Sequence, residues 1–127
     1  NAKAIVGVDT VTNSKGIHSN AKTTYLENTI VEGAYSTAVN LQNASGSTVI
    51  RGGSYTTDYM ADGFEPSPTI AYYGSLDIAD AQITRIGNGI QYRKSWPAPE
   101  KVENLTCVNC KFIPVNGSTY ADVDYKR

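Results

Sequence analysis

Hydrophobic residues along this chain fall in clusters of three to five, and almost every cluster is followed by Asn, Gly, Ser or Asp. No window of eleven or more residues keeps a 3.6-residue period for long, so the pattern predicts short strands separated by turns. Four of the clusters align as hexapeptides: Leu26-Glu27-Asn28-Thr29-Ile30-Val31, Ile50-Arg51-Gly52-Gly53-Ser54-Tyr55, Ile78-Ala79-Asp80-Ala81-Gln82-Ile83 and Cys107-Val108-Asn109-Cys110-Lys111-Phe112. Each has an apolar first position, then Asn, Gly or Asp third, a small residue fourth and a large apolar residue sixth. Their starts are 24, 28 and 29 residues apart, and a fainter copy lies at Val6 to Val11.

Each column has a physical meaning. The first and sixth residues are predicted to point inward. The third is drawn from the residues that best tolerate a left-handed backbone, which bends the chain between two strands without a full loop. The small fourth residue leaves room at that bend, and the second and fifth face solvent. A further column follows each bend: Gly16-Ile17-His18-Ser19, Ala38-Val39-Asn40-Leu41, Thr69-Ile70-Ala71-Tyr72, Gly89-Ile90-Gln91-Tyr92 and Tyr120-Ala121-Asp122-Val123. Here Ile17, Val39, Ile70, Ile90 and Ala121 are expected to stack inward, with His18, Asn40, Ala71, Gln91 and Asp122 outward.

Two strands joined by a bend, a looser connection and a third strand make one unit of roughly 20 to 30 residues. Such a unit cannot bury its apolar side alone, but stacking units covers each by the next. A leucine-rich repeat has a similar period but needs a Leu-rich consensus that is absent here, and a β-sandwich does not explain a bend residue at a fixed offset. The predicted fold is all-β: a parallel β-helix of about five coils, one domain over residues 1–127. The chain opens on an apolar stretch without Met, which is read as a fragment of a larger protein.

The repeated apolar-x-(Asn/Gly/Asp)-small-x-apolar pattern, over approximately residues 4 to 123, resembles the pectate-lyase-like superfamily of right-handed parallel β-helices. That superfamily includes pectate lyases, polygalacturonases, epimerases, and phage tailspikes and neck appendages. The resemblance implies a right-handed solenoid that handles polysaccharide, most like a tailspike segment. It also implies a homotrimer outside the cell or on a virion surface, with a glycan as partner. An assembly module without activity, or the catalytic part of a bacterial polysaccharide lyase or epimerase, are the alternatives. No local motif singles out one member, and fold alone does not carry function.

Composition agrees with β structure: nine Tyr, eleven Gly, many Thr, Val and Ile. A net charge of −1 with interspersed signs offers no basic stripe for nucleic acid, and no apolar run is long enough to span a membrane. Neither partner is expected.

Chemistry on such a scaffold needs paired acids for glycoside hydrolysis, or a base with charge neutralisation for elimination. Acids are few. Glu27 and Arg51 share an outward column about 4.8 Å apart, which predicts a solvated ion pair worth under about 1 kcal/mol. Asp80 occupies a bend, while Asp77 and Glu32 have no evident partner. The longest departure from the repeat is Thr56 to Pro68, which carries Asp58, Asp62 and Glu65 among Tyr59, Met60 and Phe64. Insertions in solenoids map to one face and often bind, so Asp58, Asp62 and Glu65 are the candidate catalytic acids and Tyr59 and Phe64 candidate sugar contacts. The second departure, Arg93 to Lys101, adds Arg93 and the single tryptophan, Trp96, to the sugar contacts. His18 lacks a nucleophile motif. Cys107-x-x-Cys110 lacks the further ligands of a zinc site, and the repeat explains both cysteines as interior and bend residues. No metal or cofactor is expected.

Overall fold

A left-handed residue between two extended segments turns the chain without spending residues on a loop, and each hexapeptide does this. The computed structural model describes residues 3–5, 16–32, 36–60 and 63–126. In it Thr23–Glu27 (β3) bends into Ile30–Glu32 (β4), Ser47–Arg51 (β6) into Ser54–Thr57 (β7), Ser75–Ala79 (β9) into Gln82–Arg85 (β10), and Leu105–Val108 (β12) into Lys111–Pro114 (β13). The third residue of every hexapeptide lies at positive φ: Asn28 at 47°, Gly52 at 68°, Asp80 at 58° and Asn109 at 53°. Asn and Asp tolerate this conformation by local hydrogen bonding, and Gly has no Cβ to clash. At Gly53 (φ 93°) an added Cβ would also lie 2.3 Å from the Thr29 carbonyl oxygen of the coil beneath. Only glycine fits there.

The bends stack as well as the strands. The amides of Asn28, Gly52 and Asp80 donate to the carbonyls of Arg51, Ala79 and Val108 on the next coil, at 2.8, 2.9 and 3.1 Å. On the other side of the bend, Ser54, Gln82 and Lys111 donate to Thr29, Gly53 and Ala81, each at 2.9 Å. Backbone groups that a turn would otherwise leave to water are satisfied by the neighbouring coil.

The third strands are Ile17–Ser19 (β2), Val39–Leu41 (β5), Ile70–Tyr72 (β8), Ile90–Tyr92 (β11) and Val123–Tyr125 (β14); Lys3–Ile5 (β1) completes the set. All pairings are parallel and form three sheets, in the orders β1-β4-β7-β10-β13, β14-β11-β8-β5-β2 and β12-β9-β6-β3. The chain is therefore a parallel β-helix, as the hexapeptides predict. Among the described residues the coil count is slightly lower than the expected five: four complete three-strand coils, with β1 and β2 before them. The faint copy at Val6 to Val11 lies outside the described residues.

The core is a set of interior columns. Ile50 and Ile78 stack beneath Cys107, Tyr55 pairs with Ile83 and Ile83 with Phe112, and Val39, Ile70 and Ile90 follow one another. Ile50, Ile70, Ile78, Ile83 and Ile90 are fully buried, each worth about 1.5–3 kcal/mol of transfer. Tyr72 and Tyr92 pack inward with ring centroids 5.1 Å apart, and the Tyr72 hydroxyl donates to the Glu103 carbonyl at 2.7 Å. A buried phenol keeps its partner in this way.

Three expectations are corrected. The last third strand is Val123–Tyr125, so Val123 pairs with Ile90, while Ala121 and Asp122 stay exposed. The connection that turns at Asn116 (φ 52°) and Gly117 (φ 68°) holds eight residues, against four between β10 and β11, which sets the strand two residues later than expected. Because strand side chains alternate with period two, a two-residue slip leaves the inward–outward parity unchanged and hides from the pattern. Asp122 instead accepts a 2.7 Å bond from Nε of Arg85, which is 6 % exposed and also donates to the Gly87 carbonyl and Ser118 hydroxyl. Next, Asn40 and Ala71 face outward yet are buried. Nδ2 of Asn40 lies 3.2 Å from Nδ1 of His18, and Oδ1 of Asn40 has no partner. Finally, Arg51 grips Asp77 rather than Glu27, in a two-pronged ion pair of 2.9 and 3.1 Å. Asp77 lies diagonally across the sheet, where a bidentate fork is reachable.

Replacing Asn28 tests the bend. Asn28→Gly is expected to leave the urea unfolding midpoint nearly unchanged, while Asn28→Val lowers stability by about 1–2 kcal/mol because a β-branched residue must enter the left-handed region. Equal effects of the two substitutions in chemical denaturation would show that this backbone conformation is not what selects the residue.

Candidate functional site

The long connection between β7 and β8 leaves the repeat after Thr57, whose hydroxyl donates to the Ser36 carbonyl at 2.9 Å. It returns at Thr69, whose hydroxyl donates to the Thr84 carbonyl at 2.8 Å. Both ends are thus pinned to backbone carbonyls of the coil, and the stretch between them projects. Ser67 and Ser36 hydroxyls meet at 3.1 Å, holding its returning limb to the coil before. Within it Asp58, Tyr59, Met60, Phe64 and Glu65 are all exposed, Phe64 at 69 %. Asp62 lies outside the described residues.

This connection overhangs the third and fourth coils beside the sheet of third strands. Phe64, Glu65 and Pro66 line one side of an open groove of about 600 Å³, and Gln91, Arg93 and Lys126 line the other. Of the residues singled out from sequence, Phe64, Glu65 and Arg93 come together here. Tyr59 and Asp58 do not line the groove. Trp96, 85 % exposed, projects from the Arg93–Lys101 connection, beside which Lys94, Pro97, Pro99 and Lys101 border a separate groove of about 500 Å³.

Two residues of the groove escaped the sequence reading, and both have a signal. The last three third strands share an apolar-x-Tyr pattern: Ile70-Ala71-Tyr72, Ile90-Gln91-Tyr92, Val123-Asp124-Tyr125. Aligning on the tyrosines gives the correct register for β14, and the residues that follow them are Tyr73, Arg93 and Lys126. The Arg93 amide donates to the Tyr72 carbonyl and the Lys126 amide to that of Tyr92, both at 2.9 Å. Arg93 and Lys126 are therefore equivalent positions on adjacent coils, about one strand spacing of 4.8 Å apart along the backbone. Gln91 adds to this. Its Oε1 accepts from Nε of Arg93 at 2.9 Å, orienting the guanidinium.

The electrostatic character follows from the lining: two cations against one carboxylate, Glu65. General acid–base hydrolysis of a glycoside needs two carboxyl groups across the scissile bond, and among the described residues the groove has one. No group of three or more His, Cys, Asp or Glu side chains is placed to hold a metal ion among the described residues. A stacked Arg and Lys beside an exposed aromatic ring is suited instead to holding an anionic or hydroxyl-rich ligand.

The cysteines take the places the repeat assigns. Cys107 pairs with Ile78 in the interior column, and Cys110 sits after the bend with its thiol directed at the Ile78 and Val108 carbonyls, at 3.8 and 3.6 Å. Burial, with a smaller effect of the neighbouring Cys110, pushes the Cys107 thiol up to about 12. Since the thiolate is the nucleophile and ligand form, this thiol is chemically quiet at neutral pH.

Comparison with protein-family models, curated proteins and solved structures finds no match to this chain.

Burial also raises Tyr55 to about 12, partly offset by a hydrogen bond with Thr29. For Cys107 and Tyr55 the folded pKa lies above the unfolded value, so their contribution is complete below pH about 9 and is lost as pH rises toward 12. The urea midpoint is expected to fall between pH 8 and pH 11, with Tyr55→Phe and Cys107→Ala each flattening that fall. A thiol-specific reagent at pH 7 should modify Cys107 slowly in the native chain and fully in urea. Rapid native labelling of Cys107 would contradict its half-buried, inward placement.

Proposed function

We propose that this chain is a segment of a β-helical polysaccharide-binding protein, of the kind the repeat resembles, such as a tailspike that recognises a host surface glycan. The observation that carries this is the groove between Phe64 and the stacked Arg93–Lys126 pair. Pyranose rings present one face of C–H groups that stacks on an aromatic ring, while their hydroxyls and carboxylates take charged donors. Phe64 supplies the first contact, and Arg93, Lys126 and Gln91 the second. Among the described residues the lining sets one carboxylate, Glu65, beside two cations, which supports a binding role. The parent protein would work outside the cell or on a virion surface, where such glycans are met.

Assembly into a homotrimer belongs to the same proposal. Tyr25 and Val108 lie exposed on the outer face of the β12-β9-β6-β3 sheet, and Ile30 on that of the β1-β4-β7-β10-β13 sheet. A trimer would cover such side chains at its contacts between copies. The same feature favours a second reading, a bracing module that assembles without gripping glycan.

Two measurements separate these. Titrating the chain with capsular and pectic polysaccharides should show saturable binding, weakened about tenfold by Phe64→Ala and by Arg93→Ala. Absence of binding to every glycan, with a trimer in sedimentation equilibrium, would leave the bracing module. A monomer at high concentration would remove the trimer.

A further inference from the structure

The groove at Arg93 and Lys126 is one half of a longer depression. On the other side of Phe64 lies a second groove of about 600 Å³, bounded by Met60 and Phe64 from the long connection and by Ile86, Asn116, Thr119 and Tyr120 from the third and fourth coils. The two share Phe64, Glu65 and Pro66 as a common wall. They lie at opposite ends of β11: Ile86 precedes that strand, while Gln91 and Arg93 end it. A three-residue strand spans about 10 Å, so the pair forms a trough longer than a single sugar ring.

Their chemistry differs. Among the described residues the second groove contains no cation; its one charged group is the shared Glu65. Its exposed surface is aromatic and apolar at Tyr120 and Met60, with neutral polar side chains at Asn116 and Thr119. Ser118 is committed: it donates to the Ile86 carbonyl at 2.6 Å and accepts from Arg85, which fixes the turn that presents Tyr120. The first groove has the stacked cations, and the terminal nitrogens of the Arg93 guanidinium are left for a ligand once Nε is held by Gln91. A carboxylate on a sugar would be bound at Arg93 and Lys126, which offset Glu65 in the first groove, and disfavoured in the second, where Glu65 has no cation beside it among the described lining residues.

Resting on the glycan-binding function proposed above, we infer that the trough has two distinct subsites, an acidic-sugar subsite at Arg93–Lys126 and a neutral-sugar subsite at Tyr120–Asn116, joined over Phe64. The ligand it selects is a heteropolysaccharide in which a uronic or similar acid adjoins a neutral hexose or N-acetylhexosamine. A polymer with an acid on every unit places one carboxylate against Glu65 without a cation. A neutral polymer leaves Arg93 and Lys126 unused.

Calorimetric titration of the full chain with three hexasaccharides tests this: a hyaluronan fragment (alternating), an oligogalacturonide (acid on every unit) and cellohexaose (neutral). The hyaluronan fragment is expected to bind at least about tenfold more tightly than either of the others. Tyr120→Ala should weaken it about tenfold while changing oligogalacturonide binding less than twofold, and Lys126→Ala should weaken both acidic ligands. Far-UV circular dichroism and the urea midpoint would confirm that each variant is folded. Equal binding of the hyaluronan fragment and the oligogalacturonide, or indifference to Tyr120→Ala, would overturn the two-subsite inference while leaving glycan binding standing. Binding of none of the three would overturn the two-subsite inference, and glycan binding itself would fall only if the wider titration with capsular and pectic polysaccharides were also negative.

Discussion

A bend that uses one left-handed residue, repeated once per coil and stacked in register, is the constraint on which the rest of this structure depends. Asn28, Gly52, Asp80 and Asn109 each turn the chain from one sheet into the next at φ between 47° and 68°. Their amides are hydrogen-bonded to the coil that follows, or, for Asn109, belong to the terminal coil of the stack. Such a corner permits neither a helix nor a hairpin, since the strand that follows continues away from the one before. Successive coils must then pair in parallel, and the interior must be filled by columns of like residues. Substitutions within a column follow from this. Cys107 stands where Ile50 and Ile78 stand, because the position asks for an apolar side chain of moderate size rather than a thiol.

The looser connections between the other sheets are free of that constraint, and there the chain varies. The connection through Phe64 is anchored at both ends by threonine hydroxyls on backbone carbonyls, and the Arg85–Asp122 ion pair ties the lengthened last turn to the coil before it. Rigid stacking on one side of the coil and anchored projections on the other put variable side chains on a stable frame, a division of labour common where loops carry binding. The groove owes its cations to the frame and its aromatic ring to the projection. Arg93 and Lys126 are brought within one strand spacing by the solenoid pitch, although 33 residues of chain separate them.

Ion pairing illustrates the limit of column logic. Glu27 and Arg51 are direct neighbours in the register. Arg51 nevertheless takes Asp77, whose carboxylate receives both prongs of the guanidinium and holds itself below the ordinary aspartate range. Register gives Cα neighbours; the length and planarity of the side chain decide which carboxylate can be gripped with two bonds. Asn40 shows the same limit from the other direction. Its outward parity is correct, but the outer face of that sheet is not open to solvent at that point.

The sequence by itself determined the all-β class, the four bends, the inward columns and the two departures from the repeat. These depend on local backbone preference and on side-chain alternation, both properties of short windows. It also marked Phe64, Glu65 and Arg93 as site residues. Only the tertiary structure decided that these three face one groove with Gln91 and Lys126, that Asp58, Tyr59 and Trp96 stand apart from it, and that the last strand begins at Val123. The physical reason is that coil pitch and loop trajectory are set by contacts between residues one or more turns distant. A period-two pattern carries no information about a slip of two. The tyrosine that ends the last three third strands, at Tyr72, Tyr92 and Tyr125, is a local mark of that register, and it is legible once the strands are seen stacked.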